Sequence, residues 1–184
     1  MLGYLHIAGD SHALSVPRSE LVALQQHYMY TESYCKTCLA LTIMIAELEG
    51  VPVTEELKIS ALFLRYSPTE KYDIKKNVNI VHEMFASPRV KKLIALQSGV
   101  REIDDIEAKI LHDAEILTLF AQEPSQLIKM VKDSYNYDDA RSAQNLCNVA
   151  HSQRMYTKIG AQMLKTAAPN ICVRLGEYLD AKAT

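Results

Sequence analysis

The sequence predicts an all-α protein. Three observations carry this. Apolar residues recur at spacings of four and three, the strict alternation of a half-buried strand is missing, and glycine and proline, 6 of each, fall mostly between the periodic segments. At 184 residues the chain suits one domain with a sizeable core. Its 48% hydrophobic content is too rich for disorder and ordinary for a globular protein. An irregular arm over residues 1–16 is expected, followed by one helical domain over 17–184 built of roughly eight to nine helices.

The first helix is expected from Pro17 to about Tyr30, with Pro near its first turn. The second carries the clearest stripe: Tyr34, Cys38, Leu41, Ile45 and Leu48 share one face. Gly50 and Pro52 end it. Thr54 then caps a third helix, and Glu55 and Glu56 sit against its positive end. "ISALFL" is its apolar centre, and Ser67-Pro68 stops it. Ile74, Val78, Val81 and Phe85 mark a fourth helix. A short fifth spans about Pro88 to Gln97, closed by Gly99. The sixth begins near Asp104 and carries Ile106, Ile110, Leu117 and Phe120. Asp113 falls into the same rhythm, which puts a carboxylate among core residues. A seventh helix follows Pro124, and "SYNYDDARSA" reads as a polar break. From about Ala140 two more helices are expected, separated near Thr166 to Asn170.

Composition excludes some functions. A net charge of -2 provides no global basic field for nucleic acid or an anionic membrane. Lys75-Lys76 and Lys91-Lys92 read as solvated helix faces. No apolar stretch approaches the ~20 residues of a membrane span. "MLGYLHIAGDSH" lacks the basic start and apolar run of a signal peptide. A cytoplasmic protein with reduced thiols is expected, although a signal-free export route is compatible with the same start.

Four groups of residues carry potential chemistry. Cys35-Lys-Thr-Cys38 is a CxxC, but no second close-spaced Cys/His pair completes a zinc site and no βαβ context suits a redox motif. Cys38 also lies on the core stripe, so both thiols are expected to be buried. His82, His112 and His151 lie on three different helices and could meet at a metal with Glu115 or Asp113, or stand apart as packed or surface histidines. Tyr28, Tyr30, Tyr34 and Tyr66, with Arg65 and Arg154, could line a pocket for a planar or anionic ligand, or edge the core with wet hydroxyls. "YNYDD" lacks the alternating oxygen ligands and central glycine of an EF-hand and reads as a solvated loop.

Three longer segments, "EGVPVTEELKISALFLRY", "DIEAKILHDAEILTLFA" and "MYTKIGAQMLKTAAPNICVRLGEYLDA", resemble in order and spacing the HD-domain superfamily of metal-dependent phosphohydrolases. The resemblance spans about Tyr28 to Asp180 and implies an HD-like helical bundle. Carried over residue by residue, the family's first metal-binding His falls on Tyr34 or, one residue off, on Ser33. Its His-Asp diad falls on Arg65 and Tyr66. Its last acidic ligand falls on Glu115, with Asp113 at the acid before it. The visible pair His112-Asp113 is therefore not the diad, because it lies on a different helix.

A hard divalent ion needs imidazole and carboxylate ligands to lower the pKa of its bound water. Arg65 cannot lose its proton, and protonated Tyr34 and Tyr66 are poor ligands. The expectation is an HD-like domain without its metal site or any cofactor, acting as a non-catalytic ligand-binding or protein-interaction protein. Its vestigial pocket would comprise Tyr34, Arg65, Tyr66, Asp113 and Glu115, with Arg65 replacing the ion against one of the acids. A small anionic ligand, a protein or a second copy would be the partner. The rival is a phosphohydrolase with rearranged ligands or a metal-free enzyme in the same pocket.

Overall fold

The computed structural model describes residues 4–7, 14–17, 32–64, 87–97 and 102–183. In chain order these form β1 (Tyr4–Ile7), β2 (Leu14–Pro17), α1 (Glu32–Leu48), α2 (Glu55–Phe63), α3 (Pro88–Ala95), α4 (Ile106–Phe120), α5 (Pro124–Tyr135), α6 (Asp139–Ser152) and α7 (Lys158–Ala183). Outside β1 and β2, the described elements are all helices. The arm corrects one expectation: it is not irregular throughout, since β1 and β2 pair antiparallel, Tyr4 opposite Pro17 and Ile7 opposite Leu14. The expected first helix runs into residues outside the described set, and its Pro17 ends β2 instead. The expected fourth helix at Ile74 to Phe85 also lies outside the described residues, which hold seven helices.

Local chemistry explains where the helices start. Thr54 accepts from Leu57 N at 3.1 Å, Ser87 from Val90 N at 3.4 Å, Asp105 from Ala108 N at 3.3 Å and Asp138 from Arg141 N at 2.7 Å. Each side chain satisfies an amide that the helix leaves without a partner. Gly50, at φ 70°, turns the chain out of α1, and Asn136, at φ 54°, turns it out of α5. The polar break is therefore only three residues long, 136–138, because Asp138 already caps α6.

α4 is the centre of the fold. It packs on α1, α2, α3 and α7, and 10 of its residues are buried. A helix enclosed on most sides loses the simple two-faced pattern. That is why Glu107, Asp113, Glu115 and Thr118 are buried beside Ile110, Leu111 and Phe120. Two residues escape their expected stripes: Leu48 at the end of α1 is 61% exposed and Ile106 at the start of α4 is 44% exposed.

The last third departs furthest from expectation. The break falls at residues 153–157, and α7 runs without interruption through Pro169. Leu164, Ala168, Ile171 and Leu175 are buried along one side of α7, while Pro169 is exposed. Interior proline costs a helix about 3 kcal/mol. Burying Ile171 and Leu175 contributes roughly 1.5–3 kcal/mol each, enough to hold the helix across it.

Candidate functional site

The acid on the apolar stripe is fully buried, at 0% exposure. Its donors come from the joint between α6 and α7. Tyr156 N donates to Asp113 Oδ1 at 2.9 Å and also approaches Oδ2 at 3.1 Å. Thr157 donates to Oδ2 twice, from its amide at 2.7 Å and from its hydroxyl at 2.8 Å. The Nδ1 of the neighbouring His112 lies 3.1 Å from Oδ1. With donors on both oxygens the carboxylate serves as an acceptor, so Nδ1 is the nitrogen that carries hydrogen. The His112 ring meets Tyr156 edge-on, with centroids 4.8 Å apart.

Thr157 is also the cap of α7: Gly160 N donates to its hydroxyl oxygen at 2.9 Å. One residue earlier in that turn, Ile159 N donates to Glu49 Oε1 at 2.6 Å. The start of α7 is thus an anion site occupied by two of the protein's own carboxylates. Asp113 comes from α4, and Glu49 from the turn after α1. Both face the positive end of the helix. Gly160 permits the approach: a Cβ there would lie 2.8 Å from Asp113 Cβ and 2.8 Å from Thr157 Oγ1, and nearer still to Asp113 Oδ2. Sequence reasoning missed Thr157 and Gly160. The signal was present, since Thr157 immediately precedes the rhythm 160, 164, 168, 171, 175.

Three residues of the expected vestigial pocket, Tyr34, Asp113 and Glu115, lie among the described residues. Arg65, Tyr66, Tyr28, Tyr30 and His82 lie outside the described residues. Tyr34 and Cys38 are buried one turn apart on α1, the helix that packs along α4. Glu115 is buried, and its charge is felt by Cys38. Asp113 and Glu115 are two residues apart, so they leave α4 in nearly opposite directions. Asp113 addresses the α6–α7 joint and Glu115 the α1 side. Among the described residues, the groups that meet Asp113 are Tyr156, Thr157 and His112.

The thiols of the CxxC are buried as expected. Burial, with Glu115 adding to it, pushes the Cys38 thiol far above its ordinary range. His112 and His151 serve different neighbours: His112 meets Asp113 and Tyr156, whereas His151 Nε2 lies 3.8 Å from Cys172 Sγ. Among the described residues no cluster of three His, Cys, Asp or Glu is arranged to hold a metal. Arg154 is drawn over the Tyr156 ring, 5.0 Å from its centroid. In "YNYDD" Asp138 caps α6, Tyr135 stacks on Tyr137, and Asp139 pairs with Lys132 and Lys182.

Beside the joint, α6 and α7 enclose a groove of about 410 Å³. Ala150, Met155, Leu164 and Ala168 provide apolar lining, and His151 and Lys165 provide its basic groups. No helix among the described residues is long and apolar enough to cross a membrane. No protein-family model matches the chain, and no curated protein or solved structure is significantly similar to it.

Proposed function

We propose that this is a non-catalytic binding protein that takes a small amphipathic anion in the groove between α6 and α7. The groove's chemistry carries the proposal. An apolar floor of Leu164 and Ala168 beside the cationic Lys165 suits a carboxylate or sulfonate with a short apolar body. The occupation of Asp113 argues in the same direction. A carboxylate accepts about four hydrogen bonds, and Asp113 is already supplied by Tyr156 N, Thr157 N, the Thr157 hydroxyl and His112. Little capacity is left for an ion, as the substitution of the first His and the diad in the HD-like alignment would require.

The HD-like bundle remains part of the proposal, on the strength of the three sequence segments alone. Within it Glu115, rather than Asp113, becomes the acid for Arg65 to meet, since Asp113 is engaged elsewhere. A double-mutant cycle on Arg65→Met and Glu115→Gln tests that pair: coupling above roughly 1 kcal/mol supports it, and additivity removes it.

The binding proposal is tested by titrating the protein with anilinonaphthalene sulfonate and, separately, with octanoate. Saturable binding at one site is expected, weakened at least about tenfold in Lys165→Glu through charge repulsion. Equal affinity in the variant, or no saturation, would remove the groove as the site. Turnover of a phosphate ester with added manganese that disappears in Glu115→Ala would replace the proposal with the enzyme.

A further inference from the structure

Cys147 and His151 stand one turn apart on α6 and therefore share a face. Cys172 of α7 packs at that face: its sulfur lies 3.8 Å from His151 Nε2, and the Cys147 thiol is near enough to Cys172 to be perturbed by it. Both cysteines are half-buried, whereas Cys35 and Cys38 are sealed in the core. A small reagent therefore has access to one thiol pair and not to the other.

We propose that Cys147, Cys172 and His151 form a peroxide-reactive dithiol site that closes to a disulfide joining α6 to α7. Cys172 attacks first, because His151 Nε2 is beside its sulfur and can accept its proton. Cys147 is the resolving thiol: no imidazole is in hydrogen-bonding contact with it among the described residues, and burial, with the Cys172 thiol adding to it, raises its pKa. The Cys172 sulfur bonds to one oxygen of hydrogen peroxide, the O–O bond breaks, and the leaving hydroxide takes the proton held by His151. Cys172 is then a sulfenic acid. Cys147 attacks that sulfur, the S–S bond forms, the S–O bond breaks, and the departing hydroxide leaves as water with the Cys147 proton. Two thiols are oxidised, one peroxide is reduced, and two waters are released. The site needs no ligand in the neighbouring groove, so it stands apart from the binding proposal.

The test is to treat the reduced full-length protein with hydrogen peroxide, block the remaining thiols and map tryptic peptides without reduction. The expected product joins the Cys147 and Cys172 peptides within one chain, about 2 Da lighter than the sum of its reduced parts. In Cys147→Ser, dimedone should trap the sulfenic acid at Cys172. In His151→Gln, disulfide formation should slow roughly tenfold. A cross-link to Cys35 or Cys38, a cross-link between chains, over-oxidation without any cross-link, or an undiminished rate in His151→Gln would each overturn the proposal. The wild-type peptide map needs no variant, so a misfolded substitution leaves the decision intact.

Discussion

Two carboxylate knots hold this protein together, and they are built on opposite principles. At the start of α7, Asp113 is sealed from water and meets two backbone amides, a hydroxyl and an imidazole. At the start of α4, Asp105 and Glu107 meet a single guanidinium. Arg89 reaches Asp105 through two nitrogens, at 2.5 and 2.9 Å, and also bonds Glu107, whose other oxygen takes the Thr54 hydroxyl at 2.6 Å. The first knot uses fixed dipoles that the chain must supply in any case. The second uses a side-chain cation that is 34% exposed. A buried carboxylate without a partner is costly, so the first knot is hard to lose, whereas in the second Asp105 keeps the Ala108 amide and Glu107 the Thr54 hydroxyl when the cation is removed.

The largest effect should come from Asp113→Ala. It strands the Tyr156 and Thr157 amides and the Thr157 hydroxyl in a dry joint. The expected loss is about 3–5 kcal/mol, measured by urea unfolding. Asp113→Asn should recover little, because one side of its amide is a donor turned toward donors. A loss below about 1 kcal/mol would place the joint's strength elsewhere.

Next is Gly160→Ala, which drives a methyl group against Asp113 and Thr157. The backbone of the joint must shift, at a cost of about 1–3 kcal/mol. Elsewhere in a helix the same change is stabilising, so the sign of the effect tests the close approach directly. A gain in melting temperature would mean that the joint opens without strain.

Arg89→Met should cost least, about 1 kcal/mol once solvent screening is allowed for. It should also alter the acid limb. Hydrogen bonding from Arg89 holds Asp105 down at about 2. A lowered folded-state pKa means that the contribution is present above the unfolded value, about 4, and fades as pH falls through the folded one. Stability of the wild type should therefore fall more steeply than that of Arg89→Met between roughly pH 4 and 2. Parallel acid limbs would show that the pair contributes nothing to linkage.

The sequence alone determined the helices whose boundaries are chemical and local. Thr54, with Glu55 and Glu56, announced α2, Pro124 announced α5, and Gly50 and Pro52 ended α1, because caps and turns are decided within four residues. The four-and-three rhythm also put Asp113 inside the core, since helical phase is a local property. What satisfies Asp113 was decided by tertiary structure. Tyr156 and Thr157 lie more than forty residues away, at 43 and 44, and no spacing rule connects a carboxylate to backbone amides across that distance. The course of α7 through Pro169 was decided the same way: locally a proline argues for a break, but Ala168, Ile171 and Leu175 are buried against neighbouring helices, and that burial outweighs one missing hydrogen bond. The thiol pair follows the same logic. Cys147 and His151 share a face by helical geometry, but only the packing of α7 on α6 brings Cys172 to them, because contact between helices depends on the whole core that holds them together.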